Sequence, residues 1–348
     1  MSHPHQESLI KTARTLAAPG KGILAADESS GTIKRRFDSI GVESTAENRR
    51  DYREMLFRTP DVDQYLSGVI LFDETLRQPG AAGTRLGQVL QDRGIIPGIK
   101  VDTGAHPLAN APGELVTEGL DGLRARLAEY YQLGARFAKW RAVITIGPDI
   151  PSDYCIRANA HALARYAALS QEANLVPIVE PEVLMDGHHS IDRCFEVTEA
   201  TLHEVFYQLA QQRVLLEGIL LKPNMVLSGK EASNRAGDAV VAERTVTCLL
   251  RGVPAAVPGI MFLSGGLADD ESTINLNSVN QYAHKVGAPW QLSFSYGRAL
   301  QNAPLKTWGG KAANVSAAQQ AFHHRAQVVS AARQGNYHPA LESRVASA

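Results

Sequence analysis

Cysteine is scarce in this chain. Cys155, Cys194 and Cys248 lie far apart among 348 residues, without CxxC or zinc-type spacing, and their number is odd. That pattern suits reduced thiols in a cytoplasmic protein, and no disulfide is expected. Net charge is lacking too: 35 Lys and Arg against 36 Asp and Glu leave a formal charge of -1. There is no overall field to draw the chain onto nucleic acid or an anionic membrane, so partners must be recognised locally. No run of residues is long and apolar enough to span a bilayer. The opening stretch MSHPHQESLIKTARTLAAPG has no apolar core of the kind a signal peptide or anchor needs, with a cleaved transit peptide as the alternative. Instead Leu9, Thr12, Ala13 and Leu16 share one face between Ser8 and Ala18, which predicts a short amphipathic helix packed on the domain. No Pro/Gly/Ser-rich linker, internal repeat or low-complexity tract divides the sequence. One domain over residues 1–348 is expected, with a tail from about 336, and the apolar share of 44% can supply its core.

What is present is a series of short apolar runs with β character. They are GILAAD at 22–27, GVILFDE at 68–74, PGIKVD at 97–102, ARFAKWR at 135–141, LVPIVEPE at 175–182, GILLKP at 218–223, GIMFLSGG at 259–266 and LSFSYGR at 292–298. Being apolar on both faces, they read as parallel strands covered by helices. Helical periodicity fills the gaps: Leu120, Leu123 and Leu127 before Gly134, then Leu202, Val205, Phe206 and Leu209, then Val241, Val246 and Leu249. Eight strands alternating with helices predict a (β/α)8 barrel. A doubly wound open sheet is the second choice, because no GxGxxG follows the first strand.

Almost every run ends in a charged or hydroxyl residue: Asp27, Asp73 with Glu74, Lys100 with Asp102, Lys139 with Arg141, Glu180 with Glu182, Lys222, Ser264, and Ser295 with Arg298. Any one of these alone reads as a strand end reaching water. In a barrel, however, all eight ends meet on the catalytic rim, and lysines, acids and arginine together suggest chemistry on an anionic substrate. Lys222 closes GILLKP. Desolvation and a neighbouring cation, for which Lys139 is the candidate, favour the neutral amine that acts as a nucleophile; a rim salt bridge is the bland alternative. Glu180 and Glu182 stand two apart and are expected to face one pocket, where paired acids either divide proton work or simply neutralise the lysines.

Ser264-Gly265-Gly266 and Ser295-Tyr296-Gly297-Arg298 follow the last two strands, where many barrels bind a phosphate through backbone N–H groups and a helix start. Arg298 would add a bidentate partner. A second anion site is suggested by DESSGTIKRR, with Ser29, Thr32 and Arg36, and with Lys100 from the third strand; a capped helix start with a basic solvated face is the competing reading. Two separated sites imply a doubly phosphorylated ligand. The pairs His188-His189 and His323-His324 lack HxxxH spacing and a matching acid, so no metal site is expected.

From about Ala13 to Tyr337 the chain resembles class I fructose-bisphosphate aldolases. The matching segments occur in order: APGKGILAADES at 18–29, FAKWR at 137–141, VPIVEPE at 176–182, LLEGILLKPNM at 215–225, FLSGG at 262–266 and FSYGRALQ at 294–301. The resemblance implies a barrel that cleaves fructose 1,6-bisphosphate to dihydroxyacetone phosphate and glyceraldehyde 3-phosphate in glycolysis and gluconeogenesis, with no metal or organic cofactor. It implies Lys222 as the Schiff base lysine, Glu180 as the principal general acid/base, Lys139 as the neighbouring cation, and Asp27 and Glu182 as supporting catalytic groups. Ser264, Gly265, Gly266, Ser295, Gly297 and Arg298 match the site for the C1 phosphate. Ser29, Thr32, Arg36 and Lys100 match residues toward the other phosphate, and Arg141 joins the substrate-binding set. A homotetramer is a further implication.

The sequence departs from the family pattern in three places. Animal members end in a tyrosine on a mobile tail that assists proton exchange, whereas this chain ends HPALESRVASA and its last tyrosine is Tyr337. Thr103 and Thr145 stand where relatives often carry lysine, and Thr32 replaces a serine while keeping its hydroxyl. Two other functions stay open: a Schiff base lyase for fructose 1-phosphate or tagatose 1,6-bisphosphate, and a barrel used as a scaffold without catalysis.

Overall fold

A computed structural model describes residues 4–346; residues 1–3 and 347–348, the outermost parts of the expected domain and tail, lie outside the described residues. Among the described residues ten strands form, in chain order: β1 Gly22–Ala26, β2 Leu66–Leu71, β3 Ile96–Lys100, β4 Gly104–Pro107, β5 Leu115–Glu118, β6 Phe137–Ile144, β7 Val176–Val183, β8 Leu220–Leu221, β9 Gly259–Phe262 and β10 Gln291–Tyr296. Eight of them close into a parallel barrel in the order β1-β10-β9-β8-β7-β6-β3-β2. The expected (β/α)8 barrel is therefore present, and each of the eight apolar runs contributes one barrel strand. The short antiparallel hairpin β4-β5, between β3 and the helix Leu123–Gln132, was not anticipated from the apolar pattern.

Strand lengths differ from the sequence reading for local reasons. β6 runs three residues past Arg141 because it pairs with β7 over its full length, from Phe137 opposite Val176 to Ile144 opposite Val183. β8 is reduced to two residues: Lys222 N still donates to Val179 O (2.8 Å), but Pro223 has no N–H to continue the ladder.

The barrel interior is built by period-2 alternation. Ile23, Ala25, Ile70, Phe137, Ile178, Leu220 and Met261 form one apolar cluster that is closed below by Leu9, Ala13 and Leu16. Those three residues are the buried face of the helix Gln6–Leu16, which matches the expected amphipathic element. Gly98 shows how tightly the interior is filled: a Cβ there would lie 2.2 Å from the Phe137 ring. A second, larger cluster lies between the strands and the surrounding helices.

The same alternation positions the polar residues. Two residues beyond Ala25, Phe137, Ile178 and Leu220 along their strands come Asp27, Lys139, Glu180 and Lys222. They therefore point inward at the C-terminal end of the barrel, above the apolar fill.

Candidate active site

At that rim the side chains converge on an open cavity of about 600 Å³. Its wall includes Asp27, Ser29, Thr32, Arg36, Lys100, Lys139, Arg141, Glu180, Glu182, Lys222, Ser264, Gly265, Ser295, Gly297 and Arg298, so all but one of the residues that the resemblance implies for catalysis or substrate binding meet in one place. The exception is Gly266, which lies just behind the wall. At φ +92 it keeps the loop in a left-handed turn, and a Cβ on it would come within 2.8 Å of Arg298 Nη2. Asp73 and Glu74 do not reach the cavity. They open a helical turn, Asp73–Arg77, where Asp73 accepts from Arg77 Nε (3.1 Å) and Glu74 accepts from Arg49 Nε (2.8 Å).

The centre of the site is Glu180. Its Oε1 lies 3.3 Å from Lys222 Nζ and its Oε2 lies 3.3 Å from Lys139 Nζ, so one carboxylate is shared by two amines. All three residues are almost fully withdrawn from water, at 3 to 4% exposure. Lys139 also reaches Asp27 Oδ2 at 2.8 Å. Burial alone would raise the Asp27 carboxyl, but the charges of Lys139, Lys222 and Lys100 overcome it and hold Asp27 well below the ordinary carboxylate range. Burial likewise pulls the Lys139 ammonium down, while Asp27, Glu180 and Asp102 more than compensate and hold it above the ordinary lysine range. Asp27 is thus a fixed anion and Lys139 a fixed cation. Beside them Glu182 accepts from Arg141 Nε, and the neighbouring strand places Arg141 directly opposite Glu180 in register.

Two candidate anion cradles flank this centre. In the first, Ser264 and Gly265 of one loop face Ser295, Gly297 and Arg298 of the next. The Ser295 hydroxyl is buried without a hydrogen-bond partner among the described residues, and the 11-residue helix Arg298–Trp308 starts at the same point. In the second, the helix Ser30–Asp38 begins after Ser29, so DESSGTIKRR does start a helix, but without the side-chain cap of the competing reading. The Ser29 hydroxyl instead lies 3.2 Å from the Thr32 hydroxyl. Lys100 Nζ lies 2.6 Å from Asp102 Oδ1. The wall carries seven Lys or Arg side chains against four carboxylates, an excess of positive charge in a chain that is nearly neutral overall. Such a cavity is suited to a polyanionic ligand with a reacting carbon between its two ends.

Sequence reasoning missed Glu28, Arg35 and Ser39, which also line the cavity. Glu28 accepts from Arg36 Nη1, and its backbone carbonyl accepts from the fully buried Arg53 (2.8 Å). The expected motif already contained Glu28, but nothing in the local pattern reveals a contact with an arginine 25 residues on. Thr103 and Thr145 are not part of the wall. His188 Nδ1 is occupied by Glu231 O at 2.8 Å.

The model of the family described as fructose-bisphosphate aldolase class-I matches residues 8–348. A probable fructose-bisphosphate aldolase class 1 of Xanthomonas campestris is 60% identical over 322 residues, spanning 92% of this chain and 96% of that protein. The chloroplastic fructose-bisphosphate aldolase 1 of Chlamydomonas reinhardtii is 56% identical over 99% of this chain and 90% of its own. The cytosolic fructose-bisphosphate aldolase 4 of Arabidopsis thaliana is 54% identical over 94% of this chain and 83% of its own. Among solved structures, the fructose-bisphosphate aldolase of Plasmodium falciparum, crystallised with TRAP and a small-molecule inhibitor, superposes with a TM-score of 0.95 at 48% identity, covering 97% of both chains.

Proposed function

The chain belongs to the class I fructose-bisphosphate aldolases, carbon–carbon lyases of glycolysis, and from that premise we propose how its own residues carry the reaction. Lys222 Nζ attacks the C2 carbonyl of open-chain fructose 1,6-bisphosphate. Glu180, with one oxygen on that amine, moves the protons that turn the carbinolamine into an iminium and water. The iminium then accepts the electron pair of the breaking C3–C4 bond, while the C4 hydroxyl gives up its proton to Glu180 and glyceraldehyde 3-phosphate leaves. Protonation of the resulting enamine at C3 and hydrolysis release dihydroxyacetone phosphate and free Lys222.

In this reading Lys139, kept cationic by Asp27, stabilises the negative charge that develops beside it. Glu182 orients Arg141 toward the substrate. Ser264, Gly265, Gly266, Ser295, Gly297 and Arg298 hold the C1 phosphate, and Ser29, Thr32, Arg36 and Lys100 hold the other. The observation that carries the assignment is the buried Lys222-Glu180-Lys139 array in a cationic cavity. Because the iminium is itself the electron sink, EDTA is expected to leave activity intact.

Borohydride with dihydroxyacetone phosphate should add a stable mass to the peptide containing Lys222; an adduct on another lysine, or none, sinks the assignment. Relative kcat/KM for fructose 1,6-bisphosphate, fructose 1-phosphate and tagatose 1,6-bisphosphate tests the two-phosphate reading. No turnover of any of these sugars by the intact chain would leave the scaffold reading standing, whereas full turnover by Lys222→Met would sink the Schiff base role. The same reading includes a single domain, a cytoplasmic location and a homotetramer, the last to be measured by light scattering.

A further inference from the structure

Arg325, on the helix Val315–Arg333, takes no part in the chemistry above, yet it is only 6% exposed. A buried guanidinium left without partners is strongly destabilising, so where its hydrogen bonds go is informative. Nε donates to Ala299 O (3.4 Å), and Nη2 donates to Asp269 O (3.2 Å) and Thr273 Oγ1 (2.9 Å). Nη1 meets both oxygens of Glu342, at 2.9 and 2.7 Å.

Ala299 is the second residue of the helix that starts at Arg298. Asp269 and Thr273 belong to the first turns of the helix Asp269–Val286, which follows the Ser264–Gly266 loop. One side chain therefore ties together the helix starts behind both halves of the first anion cradle. Two neutral-donor bonds cross the same seam, from Tyr296 Oη to Ser272 O (2.9 Å) and from Asn302 Nδ2 to Asp269 Oδ1 (2.8 Å). The second of these occupies the Asp269 carboxylate, so the bidentate counter-charge of Arg325 comes from Glu342, in the 3-10 turns Pro339–Ala346. Tyr337 steadies that segment: its N–H donates to Asn277 Oδ1 (2.9 Å) and its hydroxyl to Glu342 Oε1 (3.4 Å).

We propose that Arg325 is a positioning residue for the substrate's C1 phosphate and that Glu342, by fixing and neutralising it, sets the grip of that cradle from the C-terminal segment. The inference rests on the assignment of the C1 phosphate to the Ser264–Gly266 and Ser295–Arg298 loops. With Glu342 in place, the guanidinium is locked onto Ala299 O and Asp269 O and the two helix starts keep one spacing. Without it, the buried charge loses its bidentate partner and is drawn toward water, and the spacing loosens. Backbone N–H groups that chelate a phosphate are sensitive to displacements of that size.

The test is steady-state kinetics of the full chain with fructose 1,6-bisphosphate, competitive inhibition by inorganic phosphate, and thermal unfolding of each variant. Glu342→Gln is expected to raise KM about fivefold to tenfold and to weaken phosphate inhibition by a similar factor, with kcat within about twofold. Glu342→Asp should recover part of the loss. Arg325→Gln should match Glu342→Gln, and the double variant should be no worse than either alone. A lowered melting temperature with KM and phosphate inhibition unchanged in Glu342→Gln would mean a purely structural ion pair and overturn the proposal; this variant decides even if Arg325→Gln fails to fold. Arg298→Met separates the two levels. If it raises KM while Glu342→Gln does not, the cradle assignment stands and the positioning role is wrong. If Arg298→Met leaves KM unchanged, the cradle assignment falls and takes the positioning role with it.

Discussion

The two ends of the barrel use the same strands and bury opposite things. Below, Leu9, Ala13 and Leu16 of the N-terminal helix press onto Ile23, Phe137, Val176 and Leu220. Above, one inward step further along the strands, Asp27, Lys139, Glu180 and Lys222 are packed together out of water. Even the cations are treated differently. Arg333, buried near the lower end, is pulled down to about 10 by burial; its hydrogen bonds go to Ala17 O, Ser293 Oγ and Gln291 Oε1, all uncharged oxygens. At the upper end each buried lysine faces a carboxylate. Buried ion clusters contribute little net stability, so the apolar end bears the fold and leaves the charged end free to be arranged for chemistry.

That division predicts substitutions that separate activity from stability. Lys222→Met should lower kcat by roughly 10⁴-fold or more, as seen when a nucleophile is removed, while the unfolding midpoint moves little. Glu180→Gln should lower kcat by about 10² to 10⁴, the usual range for a general acid/base, and should slow borohydride trapping, which requires the iminium. At the other end Leu16→Ala, a fully buried truncation, should destabilise by about 2–5 kcal/mol in denaturant titration with kcat within about twofold. A large kcat loss there would show that the ends are not independent.

Acid should act on the charged end first. Asp27 is held low in the fold, so its stabilising contribution is complete above the ordinary carboxylate range and is lost as pH falls toward its depressed value. Asp27→Asn should therefore flatten the acid limb of stability against pH; an unaltered limb would count against the Asp27-Lys139 pair. The smallest effect concerns the thiols. Burial pushes Cys155 up to about 11 and Cys248 up to about 12, so native protein should label slowly with thiol reagents at pH 8 and rapidly once unfolded.

Much of this was legible because barrel strands carry their information locally. FAKWR and VPIVEPE announce both an apolar inward residue and, two positions later, the charged one, and closure of the barrel does the rest. Asp73 and Glu74 misled for the same reason: they end an apolar run, but the chain turns into a helix at that point and Arg49 claims the glutamate. The hairpin β4-β5 has intermediate or exposed residues at most positions, which leaves no apolar run to notice. Glu28 and Arg325 were invisible because the partners that bury them, Arg53 and Gln301 for the first and Glu342, Ala299, Thr273 and Asp269 for the second, lie 17 to 273 residues away, where no sequence period reports them.

The shared carboxylate of Glu180 also sets an order of events. An ammonium on Lys222 has three N–H groups to share among its neighbours, whereas an iminium on the same nitrogen retains one. An iminium whose single N–H turned toward the substrate would leave Oε1 free to take a substrate proton, while Lys139 stays beside Oε2 as its counter-charge. On the proposed chemistry, the base is released by the step that creates the need for it, so the site carries its own clock.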